Sequence, residues 1–96
     1  MLVLITYDVN TQTAEGRKRL RKVAKICLNS GLRVQNSVFE CELNAGQLLK
    51  TKEELLKNID LTKDSLRIYL LGNNYKGKTE HFGIKPSFNV NEPLII

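Results

Sequence analysis

Asp8 closes an apolar run, Leu2-Val3-Leu4-Ile5-Thr6-Tyr7, and stands just ahead of a segment that carries seven cations and no acid. From Gly16 through Phe39 the cations are Arg17, Lys18, Arg19, Arg21, Lys22, Lys25 and Arg33, with Glu15 and Glu40 at the edges. A carboxylate can hold a hard metal ion, and Lys/Arg side chains neutralise phosphates, so the pair of features points to phosphodiester chemistry or to polyanion binding. Each has a plainer reading. A strand-terminal aspartate can simply organise the next turn, and a run of cations can be a solvated helix face. An ordinary exposed helix, however, mixes signs for i,i+4 pairing, and this one contains no compensating acid. Arg17 and Arg19 lie in the first turn and a half of the expected helix, where free N–H groups and the helix dipole already favour an anion. Arg33 extends the basic segment into the following strand.

Other chemistries find little support. Cys27 and Cys41 sit inside periodic apolar patterns without metal-ligand spacing, so they read as reduced, buried thiols, with a disulfide between them the minor alternative. His81 is the only histidine and reads as structural or surface. Tyr75-Lys76-Gly77-Lys78 lacks the spacing of a phosphate-cradling loop and reads as a basic turn.

The formal charge of +5 is unevenly spread: the remainder of the chain sums to −2, which implies one basic face. With 96 residues, 42% apolar and 26% charged, the chain is sized and composed as one soluble domain. No apolar stretch approaches the roughly 20 residues of a membrane span, and the short first run lacks the flanks of a signal peptide. A cytoplasmic protein without membrane attachment is expected.

The elements that must position these residues follow from periodicity. Residues 2–7 are continuously apolar and rich in β-branched side chains, as in a strand buried on both faces. Asn10-Thr11-Gln12-Thr13 forms a loop, Thr13 is an N-cap, and Leu20, Val23, Ala24, Cys27 and Leu28 recur at helical spacing until Asn29-Ser30-Gly31 stops the helix. From Arg33 to Leu43 the alternation slips by one, with Val34 and Val38 on one parity and Phe39, Cys41 and Leu43 on the other. That slip requires a bulge or reversal at Gln35-Asn36-Ser37 between two short strands. Asn44 with Gln47 three residues on reads as a capping box opening a second amphipathic helix that ends near Asn58. Ser65 to Leu71 alternates as a further strand, closed by Gly72-Asn73-Asn74. Strand, helix, strand, strand, helix, strand is the order of an α+β ferredoxin-like domain, an antiparallel sheet with two helices on one face. The division expected is a core over residues 1–78 and a C-terminal segment over 79–96, whose apolar fragments around Lys85-Pro86 and Glu92-Pro93 would exchange onto or add to a sheet edge of a two-fold-related copy.

Arg33-Val34-Gln35-Asn36-Ser37-Val38-Phe39-Glu40, preceded by Tyr7-Asp8 and by the Arg/Lys-rich helix ending at Gly31, resembles the small CRISPR-associated nuclease family that accompanies the integrase during spacer acquisition. Asp64-Ser65-Leu66-Arg67-Ile68-Tyr69-Leu70-Leu71-Gly72 fits that family's later strand. Glu40-Cys41-Glu42 and the Leu-Gly ending at Gly72 look most like members from type I-C systems. The resemblance implies a ferredoxin-like homodimer in which Asp8 of each copy meets its mate at the two-fold axis and holds Mg²⁺, with Mn²⁺ as an alternative. It also implies that Ser37 and Phe39 occupy positions the family associates with activity, although Phe39, on an apolar parity, is more simply core; Tyr7 is a supporting candidate that could contact phosphate, with packing the simpler reading. Many relatives carry a further acid shortly after the aspartate; here Asn10 and Thr11 stand in that stretch. The function expected is a metal-dependent endonuclease, with double-stranded DNA favoured over RNA and a CRISPR-associated integrase as partner. The alternatives are a non-catalytic DNA-binding adaptor bridging integrase subunits and a ribonuclease or toxin-like RNA-binding module.

Overall fold

A computed structural model describes residues 1–72 of the chain. The element order is β1 (Leu2–Asp8), α1 (Ala14–Ser30), β2 (Leu32–Gln35), β3 (Val38–Glu42), α2 (Ala45–Asn58) and β4 (Ser65–Gly72). The four strands form one sheet in the order β2-β3-β1-β4, antiparallel at every pairing. This is the α+β, ferredoxin-like arrangement expected from the order of elements. His81, Tyr75-Lys76-Gly77-Lys78 and the proposed C-terminal segment 79–96 lie outside the described residues. Among the described residues no helix is long and apolar enough to cross a membrane.

Local sequence explains where the helices begin. The Thr13 side chain accepts a hydrogen bond from the Gly16 amide at 3.0 Å, satisfying one of the orphan donors at the start of α1. At α2 the Asn44 side chain accepts from the Gln47 amide (2.8 Å) while the Gln47 side chain accepts from the Asn44 amide (2.9 Å), a complete capping box. Helix α1 stops where Gly31 brings the chain against β3: a Cβ there would overlap the Glu40 carbonyl and lie 2.6 Å from Cys41 Sγ. Gly31 has extended backbone, so what it supplies is space.

The alternation of β1 decides what the two sheet faces contain. Val3, Ile5 and Tyr7 point toward the helices and join Val23, Cys27, Phe39, Cys41, Leu43 and Leu55 in the core. Their register partners continue that layer, Val3 opposite Cys41 and Ile5 opposite Phe39 and Ile68. Leu4, Thr6 and Asp8 point the other way, beside Val38, Glu40, Arg67, Tyr69 and Ser65. The parity slip read in the sequence is real. Residues 36 and 37 form the turn, and the ladder between β2 and β3 shifts register between Arg33 and Gln35, so Phe39 and Cys41 face inward while Val38 faces out. Both cysteines are free and buried, and burial pushes the Cys27 thiol up to about 12 and the Cys41 thiol up to about 11.

Candidate active site and basic face

Asp8 is the last residue of β1, a central strand, and lies opposite Ser65, the first residue of β4. Its side chain is exposed, on the sheet face that carries no helix, and has no hydrogen-bonding or ionic partner among the described residues. It borders a cleft of about 610 Å³ between the β1–α1 loop and the α2–β4 turn, whose walls include Asn10, Gln12, Thr62, Lys63 and Ser65. The two other acids of this region are engaged. The Thr62 hydroxyl and amide both donate to Asp60, holding its carboxyl below the usual carboxylate range. Asp64 is a buried carboxylate whose side chain is wholly shielded from solvent. Its Oδ2 accepts from Arg19 Nε at 2.8 Å and from the Asp60 amide at 2.9 Å; its Oδ1 accepts from the Asn10 amide at 3.0 Å and from Arg19 Nη2 at 3.2 Å. The Arg19 guanidinium, aided by the Asp60 and Asn10 amides, outweighs the upward push of burial and brings the Asp64 carboxyl down to about 2.

The seven cations of the basic segment do not share one fate. Arg17, Lys18, Arg21, Lys22 and Lys25 are exposed on α1 and fall within a ~140° arc of the helix. Arg17 also donates to the Thr11 carbonyl at 3.2 Å, tying the loop to the helix. Arg19 turns inward to Asp64. Arg33 lies opposite Phe39 and so faces the helix side of the sheet, its guanidinium carbon 5.1 Å from the centre of the Phe39 ring and its Nε buried without a hydrogen-bond partner. The exposed cationic face of α1 is therefore Arg17, Lys18, Arg21, Lys22 and Lys25; Lys18 and Lys25 complete it, whereas Arg19 and Arg33 point elsewhere.

The residues read as supporting are structural in their surroundings. Tyr7 is buried, its ring 6.0 Å from that of Phe39, and its hydroxyl donates to the Asn36 carbonyl at 3.4 Å. Burial is the main reason its pKa is raised. Phe39 is fully buried. The Ser37 carbonyl accepts from the Tyr7 amide at 3.2 Å, closing the ladder one step before Asp8. Sequence reasoning missed Asp64 as a member of this region. The available signal was Asp60-Leu61-Thr62-Lys63-Asp64, two aspartates in a short turn that leads directly into the strand beside Asp8.

A family model described as CRISPR associated protein Cas2 matches residues 1–79. The chain belongs to the Cas2 family. It is 64% identical over 95 residues to the CRISPR-associated endonuclease Cas2 of Halalkalibacterium halodurans, covering 99% of both chains. It is 51% identical over 96 residues to the CRISPR-associated endoribonuclease Cas2 of Chlorobaculum tepidum, covering all of both. The crystal structure of Streptococcus pyogenes Cas2 at pH 6.5 superimposes with a TM-score of 0.75 at 53% identity, over 86% of this chain and all of that one. These similarities support a CRISPR nuclease role for this Cas2-family chain.

Proposed function

We propose that this chain is a metal-dependent endonuclease of CRISPR spacer acquisition, cutting duplex DNA with Asp8 as the metal ligand. One observation carries the reading: Asp8 is the exposed, unpartnered carboxylate at the end of a central strand, while its acidic neighbours Asp60 and Asp64 are held by internal hydrogen bonds. Its hard oxygen donors suit Mg²⁺ or Mn²⁺, which bind through one or two carboxylates and keep several waters. Among the described residues no three His, Cys, Asp or Glu cluster as a metal site, so one chain supplies one carboxylate and a two-fold copy would supply a second. When bound, such an ion polarises a phosphoryl oxygen and acidifies a water.

The remaining parts of the reading rest on this chain's own surfaces. The exposed cations of α1 neutralise backbone phosphates and steer the polyanion. The helix-free sheet face bearing Asp8, and β4 at the sheet edge beside an apolar groove that includes Leu48, Leu56, Leu66 and Leu70, favour a homodimer. A CRISPR-associated integrase is the further partner this reading takes. Tyr69 is the one exposed aromatic among the described residues, which offers no stacking platform for single-stranded bases and favours duplex DNA. RNA is the second reading, favoured by relatives named endoribonucleases. The test is cleavage of double-stranded DNA, single-stranded DNA and RNA by the purified protein and Asp8→Ala, with Mg²⁺ or with chelator. Duplex cleavage that needs both Mg²⁺ and Asp8 is expected. Cleavage retained in Asp8→Ala would overturn the assignment, and RNA-only cleavage would replace the substrate.

A further inference from the structure

We propose that the buried Arg19–Asp64 ion pair is the positioning device of the Asp8 site, with Asp64 the positioning residue and Arg19 acting through it instead of on nucleic acid. The inference rests on the nuclease reading above and adds the residues that hold its carboxylate in place. Asp64 directly precedes Ser65, the register partner of Asp8, and accepts from the amide of Asn10, two residues beyond Asp8. One carboxylate thus fastens the loop leaving Asp8 to the start of the strand that pairs with Asp8. Its remaining acceptor sites take Arg19 from α1 and the Asp60 amide from the α2–β4 turn, so helix, loop and turn converge on one buried group. The two walls of the cleft beside Asp8 are the segments this group joins.

Why a charge is buried there follows from what such pairs do. A buried ion pair adds little stability over apolar side chains of the same volume, and its best-attested use is to fix one arrangement among several. Here the arrangement fixed is that of the loop leaving Asp8. Gly16 allows the same loop to close on α1: a Cβ at that position would overlap the Asn10 carbonyl. The Asn10 amide is therefore held by Asp64 while its carbonyl lies against the first turn of the helix. Local sub-ångström control is what a metal-holding carboxylate requires, since misplacing a reacting group by about 1 Å costs about a hundredfold in rate.

The experiment uses the full chain and the variants Arg19→Lys, which keeps the charge but loses the two-pronged geometry, and Asp64→Asn, which keeps an acceptor but loses the charge. Amide hydrogen exchange at Asn10 is followed alongside core amides of β1, together with kcat and KM for Mg²⁺-dependent cleavage and the salt dependence of duplex binding. Expected are faster exchange at Asn10 by a larger factor than any change at the core β1 amides, a fall in kcat of roughly tenfold to a hundredfold, and KM, affinity and salt slope as in the unsubstituted protein. Unchanged kcat in both variants would overturn the positioning role alone. So would a kcat loss without faster Asn10 exchange, or a weakened affinity with a shallower salt slope in Arg19→Lys, which would make Arg19 a phosphate contact. Absence of Asp8-dependent cleavage in the unsubstituted protein would instead overturn the nuclease reading, and the positioning role with it.

Discussion

Asp8 and Ser65 face each other as the terminal register pair of the β1–β4 ladder, and the two side chains differ in solvent surroundings from their immediate neighbours Tyr7 and Asp64, which are buried. Strand alternation produces this contrast. Tyr7 and Asp64 belong to the interior, so Asp8 and Ser65 are presented at the surface by the backbone itself.

The exposed position of Asp8 predicts a separation between stability and activity. Asp8→Ala removes no internal contact, so its unfolding free energy from chemical denaturation should lie within about 0.5 kcal/mol of the unsubstituted protein. Mg²⁺-dependent cleavage by the same sample should be lost. A large destabilisation would mean that the carboxylate has a structural duty instead.

Asp64 predicts the opposite. Asp64→Ala leaves Arg19 and the Asn10 and Asp60 amides without their acceptor and should cost on the order of 3 kcal/mol, read as a lower denaturation midpoint. Because the folded carboxyl is depressed to about 2 from its ordinary 3.8, its contribution to stability is fully present above about pH 4 and is lost as pH falls toward 2. Asp64→Asn should flatten the acid limb of the stability profile in that window.

In the proposed duplex binding, the exposed cations of α1 should set the salt dependence. If all five touch phosphates, the slope of log K against log salt should be no steeper than about −4.5 per chain, at about 0.9 per neutralised phosphate. Lys22→Ala should reduce it by about 0.9. A much steeper slope would require cations outside α1.

Gly31 should tolerate no side chain. Gly31→Ala forces a methyl group against the Glu40 carbonyl and Cys41, two backbone-anchored neighbours, and should cost about 2 kcal/mol or more. Thermal unfolding of that variant measures it.

How far these features could be read from the residues depends on the range of the interaction that fixes them. Thr13 and the Asn44–Gln47 pair are caps that act over three residues, so both helix starts were legible. The parity change between Val34 and Phe39 also announces itself, because one misplaced residue turns a whole strand over. The partners of Arg19 and Arg33 were not legible. Arg19 meets Asp64 across 45 positions of sequence, and nothing local marks which member of a cationic run turns inward. Arg33 follows the register of a two-strand ladder with a shift in it, and its stacking on Phe39 is visible only once that register is known.

The buried, high-pKa thiols of Cys27 and Cys41 have a practical corollary for spectroscopy. At neutral pH neither presents thiolate to a maleimide dye, so a cysteine introduced on the outer face of α1, as in Lys25→Cys, would be the sole labelled point of the folded chain. Fluorophores placed there on two copies would form a molecular ruler, able to count chains in an assembly and to follow their spacing as a polyanion is added, with both natural cysteines left in place.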